Sequence, residues 1–142
     1  MAIVNPVFDS NKTNMVLQAA LEGYGLRHRA TVHNIANVDT PGFQRIDVSF
    51  EDQLKRAVDR MPSRGSMFRG VDMDHRRDNP LNRVAYKISL DQSSPVRADG
   101  SNVSIDREMA ILSQNAAKVR DLTELMIRNY STIKSAIRGR AG

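Results

Sequence analysis

Apolar residues recur at steps of three and four in one stretch near each end of the chain, and at steps of two between them. In the first stretch Leu17, Leu21, Tyr24, His28, Thr31 and Ile35 form a stripe that Ala20 and Val32 widen. This spacing predicts an amphipathic helix over 11–37, after a flexible segment at 1–10. The seam is weak, since His28 and Thr31 are poor apolar residues. Gly23 and Gly25 bracket Tyr24, and each costs about 1 kcal/mol against Ala in a helix interior. Such a helix is either marginal alone or closely packed at its backbone there. Asn37 is suited to a left-handed cap, and Thr40-Pro41 stops the helix because a pre-proline residue avoids the α region. Pro41-Gly42 fits the two central positions of a type II turn.

The C-terminal third carries the stronger pattern. Ile105, Met109, Leu112, Ala116, Val119, Thr123, Met126, Tyr130, Ile133 and Ile137 follow an unbroken alternation of four and three, interrupted in character only by Thr123. A helix over 104–138 follows, with Ser104 as N-cap. Asp106 and Glu108 lie near its positive end, and Lys134, Arg138 and Arg140 near its negative one. At about 1.5 Å per residue it would be about 50 Å long. The N-terminal helix is expected to be about half to two-thirds of that length, so the rest of the seam must find other chains. The competing reading is a private antiparallel hairpin within one monomer.

The middle, 38–103, is irregular and partly β. Ile46, Val48 and Phe50 alternate like a short strand, and Ser49 with Asp52 resembles a capping box for a short helix bearing Leu54 and Val58 on one side. Residues 61–80 hold two Pro, two Gly and several Arg, and read as an exposed or disordered loop. Val84, Tyr86, Ile88 and Leu90 alternate across 82–90 as the best strand pattern in the chain. The expected fold is mainly α, with long N- and C-terminal helices in a coiled-coil-like bundle around a small β-containing middle.

Composition narrows function by exclusion. At 142 residues the chain makes one domain, or a small domain with long helical extensions. Without Cys it has no disulfide, thiolate metal site or cysteine nucleophile. The net charge of +5 is mild and spread along the chain. With 4 Phe, 3 Tyr and no Trp, helix-on-helix packing is expected rather than a deep core. The N-terminus has neither a basic n-region nor an apolar run of signal-peptide length, so export without a cleaved leader is the expectation.

Candidate chemistry falls away on spacing. His28 and His33 are five apart, on divergent helix faces, and cannot share a metal. Asp72-Met-Asp74 begins like a calcium loop, but arginines stand where ligands and the glycine belong. Gly65 and Gly70 lack the Lys-Ser/Thr of a phosphate loop. Ser131-x-x-Lys134 matches S-x-x-K without its companion motifs. Asn11, Asn102 and Asn129 head acceptor tripeptides of a kind common by chance. Arg60, Arg64, Arg69, Arg76 and Arg77 form the one basic concentration, with only Phe68 among them as an aromatic platform. No enzyme, metal or cofactor is expected. The alternative outside the structural class is a small basic helical module binding nucleic acid or a regulatory partner.

One decapeptide adds to this. Asn34-Ile35-Ala36-Asn37-Val38-Asp39-Thr40-Pro41-Gly42-Phe43 closely resembles the N-terminal signature of the bacterial flagellar rod, hook and hook-associated axial proteins. The segment from Asn102-Val-Ser-Ile-Asp-Arg-Glu-Met109 to Arg138 resembles the C-terminal end of the rod subfamily, and the whole is most similar to its proximal rod members. The two matches cover about half the chain. The resemblance implies a single axial-protein domain whose terminal helices pair and then pack against those of neighbouring subunits. It implies export through the flagellar type III apparatus to the basal-body rod in the periplasmic space. Implied partners are copies of itself, other rod proteins, the export gate and inner-membrane ring components, with no small-molecule substrate and no nucleic acid. The assembly seam is then expected at Leu17, Leu21, Tyr24 and Ile35, with Ile105, Met109, Leu112, Ala116, Val119, Met126, Tyr130, Ile133 and Ile137.

Overall fold

A computed structural model describes residues 6–61, 81, 84–91 and 100–139. In chain order the elements are α1 (Pro6–Ala36), β1 (Ile46–Ser49), α2 (Glu51–Asp59), β2 (Lys87–Leu90) and α3 (Ile105–Ile137). The fold is mainly helical, with a two-stranded antiparallel sheet between two long helices.

α1 starts at Pro6, so the helix takes in polar residues that carry no apolar periodicity. Proline is suited to a first helical turn, and nothing between Asp9 and Lys12 breaks a helix. The expected mismatch of helix lengths is therefore absent: α1 has 31 residues and α3 has 33. They run antiparallel. Asn129 Nδ2 donates to Asn14 Oδ1 (2.7 Å), Asn115 Nδ2 to the Tyr24 carbonyl (3.0 Å), and Asn34 Nδ2 to Glu108 Oε2 (3.1 Å).

α1 ends without a left-handed Asn37, since no residue other than glycine has positive φ among the described residues. Short backbone bonds from Asn37 to Asn34 and from Val38 to Ile35 tighten the last turn, and Asn37 Nδ2 donates to the His33 carbonyl (2.8 Å). The side chain thus satisfies a carbonyl that the helix leaves open. The Pro41-Gly42 turn forms as expected, with Gly42 at φ +71° and the Phe43 N–H donating to the Thr40 carbonyl (3.2 Å).

β1 pairs with β2 in the register Ile46–Leu90, Asp47–Ser89, Val48–Ile88 and Ser49–Lys87. Of the strand expected over 82–90, the described residues 84–90 form only Lys87–Leu90, and Ile88 and Leu90 are exposed. Ser49 is an exposed strand residue and not a helix cap. The N-cap of α2 is Phe50, without a side-chain cap bond, and Glu51 Oε2 accepts from the Phe50 N–H (3.3 Å). A buried aromatic has displaced the capping box. Ser104 is the N-cap of α3 as expected, but without a side-chain cap bond.

Among the described residues the buried apolar side chains are Leu17, Ala20, Val48, Phe50, Ala57, Leu81 and Val103. Phe50 plugs into α1 at Gly23, where an added Cβ would lie 2.5 Å from its ring. The close packing is at Gly23 alone, since nothing lies within 4 Å of a Cβ built on Gly25. Tyr24 meets Phe50 edge to face at 5.0 Å, and the Arg27 guanidinium lies 5.0 Å from the Phe50 ring centre.

Candidate functional site

Two regions carry the residues expected to matter: the junction where α1 ends and α3 begins, and the outward side of α3.

At the junction the signature divides into a buried and an exposed half. Asn34 is fully buried, and its amide acts as a strand edge. Oδ1 accepts from the Ile46 N–H (2.9 Å) while Nδ2 donates to the Ile46 carbonyl (2.8 Å). One side chain thereby sets β1 against the helix. Ile35, Asn37 and Phe43 are half-buried, the last with its ring 5.5 Å from that of His33. Ala36, Asp39, Thr40, Pro41 and Gly42 are exposed. Gly100, at φ +82°, packs on the turn so closely that its Cβ would stand 3.3 Å from the Gly42 Cα.

Beneath the turn lies a polar cluster absent from the sequence expectation. The Arg45 Nε donates to Glu108 Oε1 (2.6 Å), and its Nη1 reaches Asp91 Oδ2 (3.1 Å) and Asp47 Oδ1 (3.2 Å). The Arg45 N–H donates to Asn102 Oδ1 (2.6 Å), and Asn102 Nδ2 donates to the Asp91 carbonyl (2.6 Å). Burial opposes the Arg45 charge most strongly, yet bonding to Glu108 and the charges of Glu108 and Asp47 hold its pKa above the ordinary value. Asn102 is therefore a buried structural group, not an exposed acceptor for a glycan. Asn129 faces Asn14 in the same way. The signal for this cluster was faint, because its members are far apart in sequence and each reads singly as a surface polar residue.

A second cluster steadies β1 and α2. Arg27 donates from Nε (3.0 Å) and Nη2 (2.8 Å) to the Val48 carbonyl, and pairs with Glu51. Bonding to Glu51 is the main influence raising the Arg27 pKa. For Glu51, burial pushes upward, but the bond from Arg27 and local backbone bonds bring it below the usual carboxylate range.

The heptad stripe of α3 splits into two lines. Leu112, Val119, Met126 and Ile133 are half-buried, on the side that carries Asn115 and Asn129. Ile105, Met109, Ala116, Thr123, Tyr130 and Ile137 are exposed, Met109 and Tyr130 at 49 % and Ile137 at 79 %. Ile127, not singled out by the spacing, joins this outward line at 63 % exposure. On α1, Leu17 is buried and Leu21 and Tyr24 are half-buried, whereas His28 and Val32 are exposed and leave the expected stripe. The part of the α3 seam expected to find other chains, Met126 and Ile133 included, lies alongside an α1 of nearly equal length.

Among the described residues no group of three or more His, Asp or Glu could hold a metal ion. The calcium-like Asp72–Asp74, the Gly65–Gly70 pair and the arginines at 64–77 lie outside the described residues.

No family model matches the chain. It is 36 % identical over 121 residues to the flagellar basal body rod protein FlgB of Borrelia hermsii, covering 83 % of this chain and 90 % of that one. Over 116 residues it is 33 % identical to the protein of the same name from Yersinia enterocolitica, covering 76 % and 81 %. It is also 28 % identical over 123 residues to that of Bacillus subtilis, covering 87 % and 91 %.

Proposed function

The chain belongs to the FlgB family of flagellar basal body rod proteins, and on that premise we propose how it builds the proximal rod. It is a structural subunit of the rod, serving flagellum-dependent motility. Its role is to present surfaces to other rod proteins, not to turn over a substrate. The terminal helices fold back as a hairpin, and the outward line of α3 packs against neighbouring subunits.

The observation that carries this reading is the row Met109, Ile127, Tyr130 and Ile137, exposed along a helix about 50 Å long. A soluble monomer has no physical reason to keep a regular apolar row in water over that distance. A helix from a neighbour, laid against it at heptad spacing, would bury it. Repetition of one such contact between unlike patches, through a rotation that does not close, gives an open helical tube. The half-buried line Leu112, Val119, Met126 and Ile133, with Leu17, Leu21, Tyr24 and Ile35 of α1, then belongs to the hairpin that holds the outward row in shape. The exposed turn residues Asp39 to Gly42 are a second surface for neighbours. Contacts with the export gate and the inner-membrane ring, export without leader cleavage, and a position in the periplasmic space complete the proposal.

The test is electron microscopy of basal bodies isolated from the parent bacterium, with its only copy of this protein epitope-tagged and gold-labelled. Label on the rod close to the inner-membrane ring is expected. Intact basal bodies without label on the rod would overturn the assignment.

A further inference from the structure

The cluster under the signature turn joins segments with nothing local in common. Asn34 and Glu108 are 74 positions apart, Arg45 and Glu108 63, Arg45 and Asn102 57, and Arg45 and Asp91 46. We propose that it is a latch on the helix hairpin: α1 and α3 close along their whole length only when residues 43–47 and 100–102 are in place.

Two features of the chain lead there. Arg45 is 4 % exposed and Glu108 not at all, and a buried charge is tolerated only when its partners are all present. An unfinished cluster would leave the Arg45 guanidinium or the Glu108 carboxylate buried and uncompensated. Closure is therefore all or none. The second feature is the weakness of the helix seam elsewhere. Away from the latch, the α1–α3 hydrogen bonds named above are uncharged, from Asn115 to the Tyr24 carbonyl and from Asn129 to Asn14. Asn115 is buried, yet its Oδ1 has no hydrogen-bond partner, which weakens that layer further. Beyond Asn115 no α3 residue is fully buried. Away from the junction the seam therefore rests on the half-buried apolar line Leu112, Val119, Met126 and Ile133 rather than on charged pairs. The turn bears on the same point, since Gly42 and Gly100 pack within van der Waals contact and bring the two halves of the latch together. The inference does not depend on rod assembly and concerns the isolated chain.

Hydrogen exchange on the full-length protein separates a latch from a local clamp. Glu108→Gln keeps the size of the side chain and leaves Arg45 short of a charge. Exchange should quicken roughly a hundred-fold or more, over 119–137 as well as beside the substitution, although 119 is already roughly 16 Å along the helix from residue 108. Arg45→Met together with Glu108→Leu removes both members of that pair, leaves Asp91 with its second cation Arg107 at 3.5 Å, and should return exchange toward the parent rate. Should Glu108→Gln fail to fold, Asn102→Ala breaks two bonds without stranding a charge, and should quicken both regions in parallel by a smaller factor. Acceleration confined to 100–112 in either variant would overturn the latch. So would a double variant that exchanges no more slowly than Glu108→Gln.

Discussion

Gly23 and Gly25 stand two positions apart on α1 and answer to opposite physics. At Gly23 a methyl group would meet the Phe50 ring at 2.5 Å, and Phe50 is held on its other side by Tyr24 and Tyr86. At Gly25 a methyl group meets nothing. Gly23→Ala should therefore lower the melting temperature by several degrees, whereas Gly25→Ala should stabilise by about 0.5–1 kcal/mol through helix propensity alone. Circular dichroism melts of the two variants give the sign directly. Tyr86 makes a second residue-level prediction. Its hydroxyl lies 3.1 Å from both the Ala19 carbonyl and Glu22 Oε2, and burial, with bonding to and the charge of Glu22, pushes it up to about 12. A raised acid favours the folded state while protonated, so its contribution is complete below about pH 10 and lost as pH rises toward 12. Tyr86→Phe should flatten the alkaline fall in stability, followed by urea melts between those limits. Tyr24, raised by burial and then by Glu51, leaves part of the slope in place.

Among the elements, the helix-to-strand junction depends on backbone that few residues can adopt. Gly42 has φ +71°, where a β-branched side chain is strained by about 1–3 kcal/mol. Gly42→Val should cost roughly that in stability and loosen the Gly100 contact, as urea unfolding would register. Asn34→Leu should cost more, because it leaves the partly buried N–H and carbonyl of Ile46 without their amide partner, at about 1–3 kcal/mol for each group. The turn itself was legible in Thr-Pro-Gly, since proline and glycine constrain φ locally. The role of Asn34 was not. On a helix stripe it reads as a polar flaw, and only the folded chain brings Ile46 to it. The short second helix was legible, but its start was misplaced because Phe50 is buried whole and takes the cap position that Ser49-x-x-Asp52 suggested. Periodicity found the α3 stripe and could not divide it: neighbouring heptad lines look alike until one is turned toward α1.

Taken whole, the molecule is a long antiparallel hairpin latched at one end, with a small β-containing middle resting on α1. Two long terminal helices could be read from spacing, and their near-equal length could not, because the polar run 9–12 parts Val7 and Phe8 from the apolar stripe of α1. The Arg45–Glu108 cluster was out of reach for a different reason. Sequence patterns report neighbours at three, four or seven positions, not at 46 to 74. What remains is whether the outward face of α3 is where subunits meet. Ile127 and Ile137 are the most exposed apolar residues described on that face, so replacing both with Lys leaves the monomer's stability within about 0.5 kcal/mol per site. In an assembled seam each Lys would instead bury a charge at every repeat of the contact. The most direct measurement is the yield of rods in basal bodies isolated from a strain whose only copy carries Ile127→Lys and Ile137→Lys, viewed by electron microscopy. The account predicts a folded subunit with an unchanged melt and basal bodies without rods; rods at the parent yield would contradict it.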